Sequence, residues 1–314
     1  MKLRKLGEFG PEVSVVGLGC NNFGMRIDLE TSRKVIHKAL DLGITLFDTA
    51  DIYGNSGGSE TMIGQVLGEN RKRVVLATKF GGAMNDAGTM KGASRRYIMA
   101  AAEASLKRLR TDWIDLYQIH FPDPATPIEA TLRALDDLIR DGKVRYIGCS
   151  NFTGWQLVDA QWTAKHHNLH AFVSCQNEYS LLVRSVEREL LPAMQKFGLG
   201  MLPYFPLASG LLTGKYARSK PAPENTRFQA LQGLADRYLT ESNWKIVERL
   251  ETFCAKRGHT LLELAFSWLL ARPTVASVIA GATKPEQVEQ NAKAADGVLA
   301  PEELAEIDDI SPKP

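Results

Sequence analysis

The chain has 314 residues, 44% of them hydrophobic and 24% charged, with a formal net charge of +2. That length allows one large domain or two ordinary ones, and the near-balanced charge offers no basic face for nucleic acid. No apolar run reaches the ~18 residues that cross a bilayer. The opening MKLRKLGEFGPEVS lacks the apolar stretch of a signal peptide, and Cys20, Cys149, Cys175 and Cys254 form no CxxC pair, so a cytoplasmic protein with reduced thiols is expected, with no membrane partner.

In chain order, residues 1–13 read as a small hairpin turning at Glu8-Phe9-Gly10-Pro11. Short apolar runs follow at 15–18, 45–48, 74–78, 114–119, 146–150, 172–176, 200–204 and 277–279. They are apolar throughout, as strands of a parallel sheet buried on both faces are. Helical patterns lie between them. Residues 31–42 place Val35, Ile36, Ala39 and Leu40 on one stripe, and 94–109 do the same with Ile98, Ala101, Ala102, Ser105, Leu106 and Leu109. Thr126 as cap and Pro127 in the first turn open a helix over 127–140, which stops before Asp141-Gly142. Helices are also expected over 153–168, with Trp155 and Trp162 as packing residues, and over 243–257. The tract 207–240, broken by Gly and Pro, is a long insertion after the seventh strand, and insertions of that length usually carry function or move.

Eight strands alternating with about eight helices predict a (β/α)8 TIM barrel, an α/β fold, with residues 1–314 as a single domain. The hairpin would close its N-terminal end. An open dinucleotide-binding sheet is the competing architecture, but Gly17-x-Gly19 is followed only by Gly24, so the third glycine of that fingerprint is missing.

In a barrel, chemistry sits at the C-terminal strand ends. Asp48, Lys79 and His120 fall there on strands two, three and four, and Tyr53 follows in the loop after the second. Neighbouring strands are ~4.8 Å apart, so these side chains can converge. An ammonium beside a phenol lowers its pKa and makes it a better proton donor. A carboxylate would hold that ammonium, and an imidazole can donate to a carbonyl oxygen as charge develops on it. Ser150, Asn151 and Gln176 end strands five and six with groups that suit a carboxamide. Tyr204 ends the seventh and can stack on a planar ring. After the eighth strand, GATKPEQVEQN puts Thr283 and Lys284 at a helix N-terminus, which reads either as an anion site or as an ordinary capped helix.

The segments FDTADIYG, ATKF, QIHFPD, IGCSNF, CQNEYSLL, PYFPLASGLLTGKY and GATKPEQVEQN resemble, in order and spacing, those of the aldo-keto reductases over nearly the whole chain. The resemblance implies NADPH-dependent reduction of a small-molecule aldehyde or ketone without metal. It makes Tyr53 the general acid, Asp48 and Lys79 the groups that tune it, and His120 the group that orients the carbonyl. It assigns Ser150, Asn151 and Gln176 to the nicotinamide carboxamide and Tyr204 to its ring. It further assigns Leu207, Gly210 and Lys215 to the pyrophosphate, and Gly281, Thr283, Lys284, Gln287 and Asn291 to the adenosine and its 2′-phosphate. Arg227 could reach the same phosphates. PLASGLLTGKY is similar to the branch holding bacterial aldehyde reductases and potassium-channel β-subunits, and Phe205 departs from it where a small polar residue is usual. Asp51 has no assigned role. Two other functions compete. Lys79 could form a Schiff base, as an aldolase-type lyase requires, or the chain could be an NADPH-binding sensor of the channel β-subunit type. Sequence fixes neither the substrate nor the oligomeric state.

Overall fold

Two short antiparallel strands begin the chain, β1 (Leu3–Lys5) and β2 (Glu12–Ser14). This is a computed structural model, and it describes residues 1–218, 220–224 and 226–313; Ser219, Asn225 and Pro314 lie outside the described residues. Eight further strands follow: β3 (Val16–Gly19), β4 (Leu46–Asp48), β5 (Val75–Phe80), β6 (Ile114–Ile119), β7 (Val144–Ser150), β8 (Ser174–Gln176), β9 (Gly200–Met201) and β10 (Val278–Gly281). All pair in parallel, in the order β10-β3-β4-β5-β6-β7-β8-β9. The ring is closed by backbone bonds from Ala276 N to Met201 O (3.0 Å) and from Ile279 N to Pro203 O (3.1 Å). The fold is the expected (β/α)8 barrel.

One helix follows each of the first six barrel strands: α1 (Leu29–Asp41), α2 (Tyr53–Leu67), α3 (Arg95–Leu109), α4 (Ile128–Arg140), α5 (Gly154–His166) and α6 (Leu190–Phe197). The insertion after β9 holds two short helices, α7 (Arg227–Ala230) and α8 (Gln232–Tyr238), and is followed by α9 (Glu241–Arg257) and α10 (Leu261–Leu270). After β10 come α11 (Pro285–Ala294) and α12 (Pro301–Ile310).

The helix starts follow local chemistry. Asp28 accepts from Thr31 N at α1, Ser94 caps α3, and Thr153 with Gln156 forms a capping box at α5, each satisfying amides the first turn leaves bare. The expected stripes of α1 and α3 are buried. Two local expectations fail. Pro127 itself occupies the cap of α4, while the Thr126 hydroxyl donates to Asp123 (2.8 Å). Trp155 does not pack: it is 66% exposed on α5, whose buried face is small and polar (Gly154, Ala160, Gln161, Ala164) around Leu157, while Trp162, 54% exposed, meets Phe197 of α6 edge-on at 6.2 Å.

The hairpin closes the bottom of the barrel. Leu6 and Val13, both fully buried, pack with the inward-facing Leu46, Ala77, Leu116, Val173, Leu202, Ala276 and Ile279. Burial of each large aliphatic side chain contributes about 1.5–3 kcal/mol. Gly7 permits this approach: its φ is +71°, and a Cβ there would lie 2.5 Å from the Gly198 carbonyl oxygen. With the lower end filled, the open mouth is the C-terminal one, where the polar residues cluster.

Candidate active site

Asp48 is the last residue of β4 and Lys79 sits near the end of β5, which pairs beside it. The Lys79 ammonium donates to Asp48 Oδ2 (2.7 Å) and to the Thr49 carbonyl (2.8 Å), and no part of the lysine is exposed. Asp48 Oδ1 accepts from Gln176 Nε2 (2.9 Å) and Gln118 Nε2 (3.2 Å). Gln118 was not anticipated. It lies in β6, two residues before His120, fully buried in a strand that also carries the buried Asp115, and nothing in its spacing marks it as a site residue.

Tyr53 opens α2, whose first turns leave helical geometry: Gly54, Asn55, Ser56 and Gly57 all have positive φ. That twist brings the phenol back over the strand ends. Lys79 Nζ lies 5.0 Å from its ring centroid, and the His120 ring meets it edge-on at 5.8 Å. Asp48, Lys79, Tyr53 and His120 therefore meet at one mouth. The Tyr53 hydroxyl is nonetheless pushed above its ordinary pKa: burial raises it, Lys79 by charge and hydrogen bond pulls it down, and Asp48 raises it again. Lys79 was expected to bring the phenol below its ordinary value; burial outweighs that pull. Tyr53 is thus a protonated phenol at neutral pH, the form a proton donor requires.

Lys79 is lowered by burial but raised more by Asp48 and Tyr53, and its net shift is upward. An ammonium held in that state is not the free amine that attack on a carbonyl demands, which removes the basis for the Schiff-base alternative. Burial, then the charge of Lys79, lowers His120 to about 3. It is a neutral imidazole, its Nδ1 has no partner among the described residues, and Phe121 stacks on it at 4.4 Å.

These residues open into a cavity of about 590 Å³. Asp48, Tyr53 and His120 line it, as do Ser150, Asn151, Gln176, Tyr204, Leu207, Gly210, Lys215, Gly281, Thr283, Gln287 and Asn291. Lys79 stands behind Tyr53, outside the lining. Lys284 is exposed at the cap of α11 and also lies outside the lining. Thr283 uses its amide (2.8 Å) and hydroxyl (3.2 Å) to bond Gln287 Oε1. The polar end residues brace one another: Ser150 donates to the Gln176 carbonyl (2.8 Å), Asn151 to the His120 carbonyl (2.9 Å), and Tyr204 to Asn151 Oδ1 (2.8 Å). The Tyr204 ring is therefore fixed at its far edge.

Three cations also line the cavity: Arg26 after β3, and Lys215 and Arg227 from the insertion. Arg26 was not anticipated. Burial and their proximity to one another lower Lys215 and Arg227. Among the described lining residues the only carboxylate is Asp48, already paired with Lys79. A ligand carrying negative charge suits this wall.

Asp51 lies outside this chemistry. It is buried, its Oδ1 has no partner among the described residues, and Tyr97 donates to Oδ2 at 3.4 Å. Burial, then nearby Glu60, raises its carboxyl from 3.8 to about 7. A raised acid costs the fold nothing below about pH 4; the cost grows from there to about pH 7 and stays constant above. Asp51→Asn should therefore raise the thermal midpoint more at pH 8 than at pH 5. Equal shifts at the two pH values, read by circular dichroism, would show that Asp51 does not titrate with folding.

The sequence profile of the Aldo/keto reductase family matches residues 15–312. An uncharacterized oxidoreductase of Bacillus subtilis (strain 168), YrpG, is 39% identical over 100% of this chain and 97% of its own. A probable voltage-gated potassium channel subunit beta of Oryza sativa subsp. japonica is 36% identical (99% and 96% covered). An L-glyceraldehyde 3-phosphate reductase of Escherichia coli O157:H7 is 35% identical (98% and 92% covered). The chain belongs to the aldo/keto reductase family of oxidoreductases. Members of that family use a nicotinamide cofactor and act on small carbonyl compounds. No helix among the described residues is long and apolar enough to cross a membrane.

Proposed function

We propose that this protein reduces an aldehyde or ketone to an alcohol with NADPH as hydride donor, and that residues 1–314 work as one domain. The observation that carries this reading is the shared cavity: Tyr53 and His120 line it together with Arg26, Lys215 and Arg227. The residues present fit a nicotinamide dinucleotide. Ser150, Asn151 and Gln176 offer amide and hydroxyl groups to a carboxamide, and Tyr204 presents a braced ring to a planar one. Lys215, Arg227, Leu207 and Gly210 flank the place for a pyrophosphate. Gly281, Thr283, Gln287 and Asn291 would hold the adenosine end, with Lys284 at its exposed edge.

When bound, NADPH supplies a hydride to the carbonyl carbon. The Tyr53 O–H donates its proton to the carbonyl oxygen as negative charge grows there. The phenolate left behind is stabilised by the Lys79 ammonium, which Asp48 keeps in place, while Gln118 and Gln176 keep Asp48 in place. One His120 N–H orients the oxygen, and burial keeps that imidazole neutral, so it donates without competing as an acid.

The test is a fluorescence titration with NADPH and NADH, followed by a screen of carbonyl substrates with the preferred cofactor. NADPH should bind at least about tenfold tighter than NADH, since a single charge-assisted contact to the extra phosphate supplies that much. Equal affinity would remove the preference for NADPH; no saturable binding of either would remove the function. The channel-subunit likeness gives the second reading, a cofactor-binding sensor with slow chemistry. Tight NADPH binding with negligible turnover across the aldehyde panel would favour it.

A further inference from the structure

The insertion that supplies Arg227 is tied to the barrel at its far end, where Arg237 and the Tyr238 hydroxyl both engage Glu178. At its near end Arg227 is held less obviously. No carboxylate pairs with it among the described residues, and the one polar partner of its guanidinium is Asn22 Oδ1 at a long 3.4 Å. Its guanidinium instead lies over the Phe205 ring, 5.4 Å from the centroid, within cation–π range. Phe205 is itself unusual. Its φ of +50° is a region that favours Gly and Asn and disfavours bulky residues. That twist sets its ring at 82° to that of Tyr204, with centroids 5.4 Å apart. The two consecutive aromatics both line the cavity but serve different ends: Tyr204 is bonded toward Asn151, and Phe205 faces Arg227.

We propose that Phe205 is a positioning residue whose ring carries the Arg227 guanidinium over the phosphate end of the cavity. This inference rests on the NADPH reading above. A hydroxyl at position 205 would offer a ligand one direct hydrogen bond. The phenyl ring offers none and instead holds a full positive charge in place without neutralising it, as a carboxylate partner would. Asn22, 2% exposed, closes the arrangement: its Nδ2 donates to the Ala282 carbonyl (3.3 Å), linking the Arg227 side chain to the turn before α11.

NADPH titration of the full chain by protein fluorescence separates ring from backbone. Phe205→Asn accepts the same positive φ but lacks the π face, Phe205→Leu keeps apolar bulk without it, and Phe205→Tyr keeps it. Phe205→Asn and Phe205→Leu should each weaken NADPH by about 5- to 10-fold, the factor a partly desolvated cation–π contact corresponds to. Phe205→Tyr should stay within about twofold of the parent. Arg227→Ala should weaken binding at least as much as either, and Phe205→Leu added to it should change little further, because the ring would have nothing left to hold. Parental affinity in both ring-deleted variants would overturn the proposal, as would effects of Phe205→Leu and Arg227→Ala that simply multiply. If the parent itself shows no saturable NADPH binding, the cofactor reading fails and this inference falls with it, a result distinct from failure at Phe205 alone.

Discussion

Replacing Tyr53 with Phe should cut turnover by about a hundred- to ten-thousandfold, the usual contribution of a positioned general acid, while NADPH affinity stays within about twofold. The ring remains, so its edge-on contact with His120 and its place over Lys79 persist. Only the O–H is lost, and with it the one donor that Lys79 and Asp48 are arranged behind. The loss should appear in kcat and kcat/KM alike, the pattern of an interaction made in the transition state. Steady-state kinetics beside a binding titration measures both. Wild-type turnover in the variant would transfer the proton-donor role elsewhere, and His120, lowered to about 3, is neutral and poorly suited to it.

Lys79→Met should be the most damaging single change to stability among the site residues. The lysine is fully buried and its ammonium is the counterion of a carboxylate that is 3% exposed. Removing one member of such a pair strands the other and typically costs about 3–5 kcal/mol. The amides of Gln118 and Gln176 still donate to Asp48 Oδ1, which places the loss near the lower end. Pairing it with Asp48→Asn should restore part of the stability, since no uncompensated charge then remains. Urea unfolding of the two single variants and the double variant tests this. A Lys79→Met protein as stable as the parent would mean that Asp48 is solvated or protonated, contrary to the geometry.

Much of this was legible in the sequence. The barrel strands stand out because they are mostly buried on both faces and so read as short, largely apolar runs, and the stripes of α1 and α3 follow from helical spacing. The strand-end residues were legible because a barrel brings every C-terminal strand end to one mouth. Gln118 was hidden, because its partner Asp48 is distant in sequence and a glutamine alone carries no spacing signal. The exposed Trp155 departs from expectation because hydrophobicity predicts burial only when the helix has a free inward stripe, and that of α5 is filled by smaller residues. The Tyr53 hydroxyl was misjudged because the sequence shows the neighbouring ammonium but not the depth of burial that overrides it. Arg26 and the Phe205–Arg227 stack depend on the path of two loops that no periodicity encodes.

We propose that one cavity holds a nicotinamide ring against a carbonyl that Tyr53 protonates. Single turnover of NADPH deuterated at C4 on the transferred face, with an aldehyde the protein reduces, tests it most directly. Deuterium should appear on the carbinol carbon, and Tyr53→Phe should slow that transfer while the cofactor still binds. Deuterium released to water, or an alcohol carrying none, would contradict it.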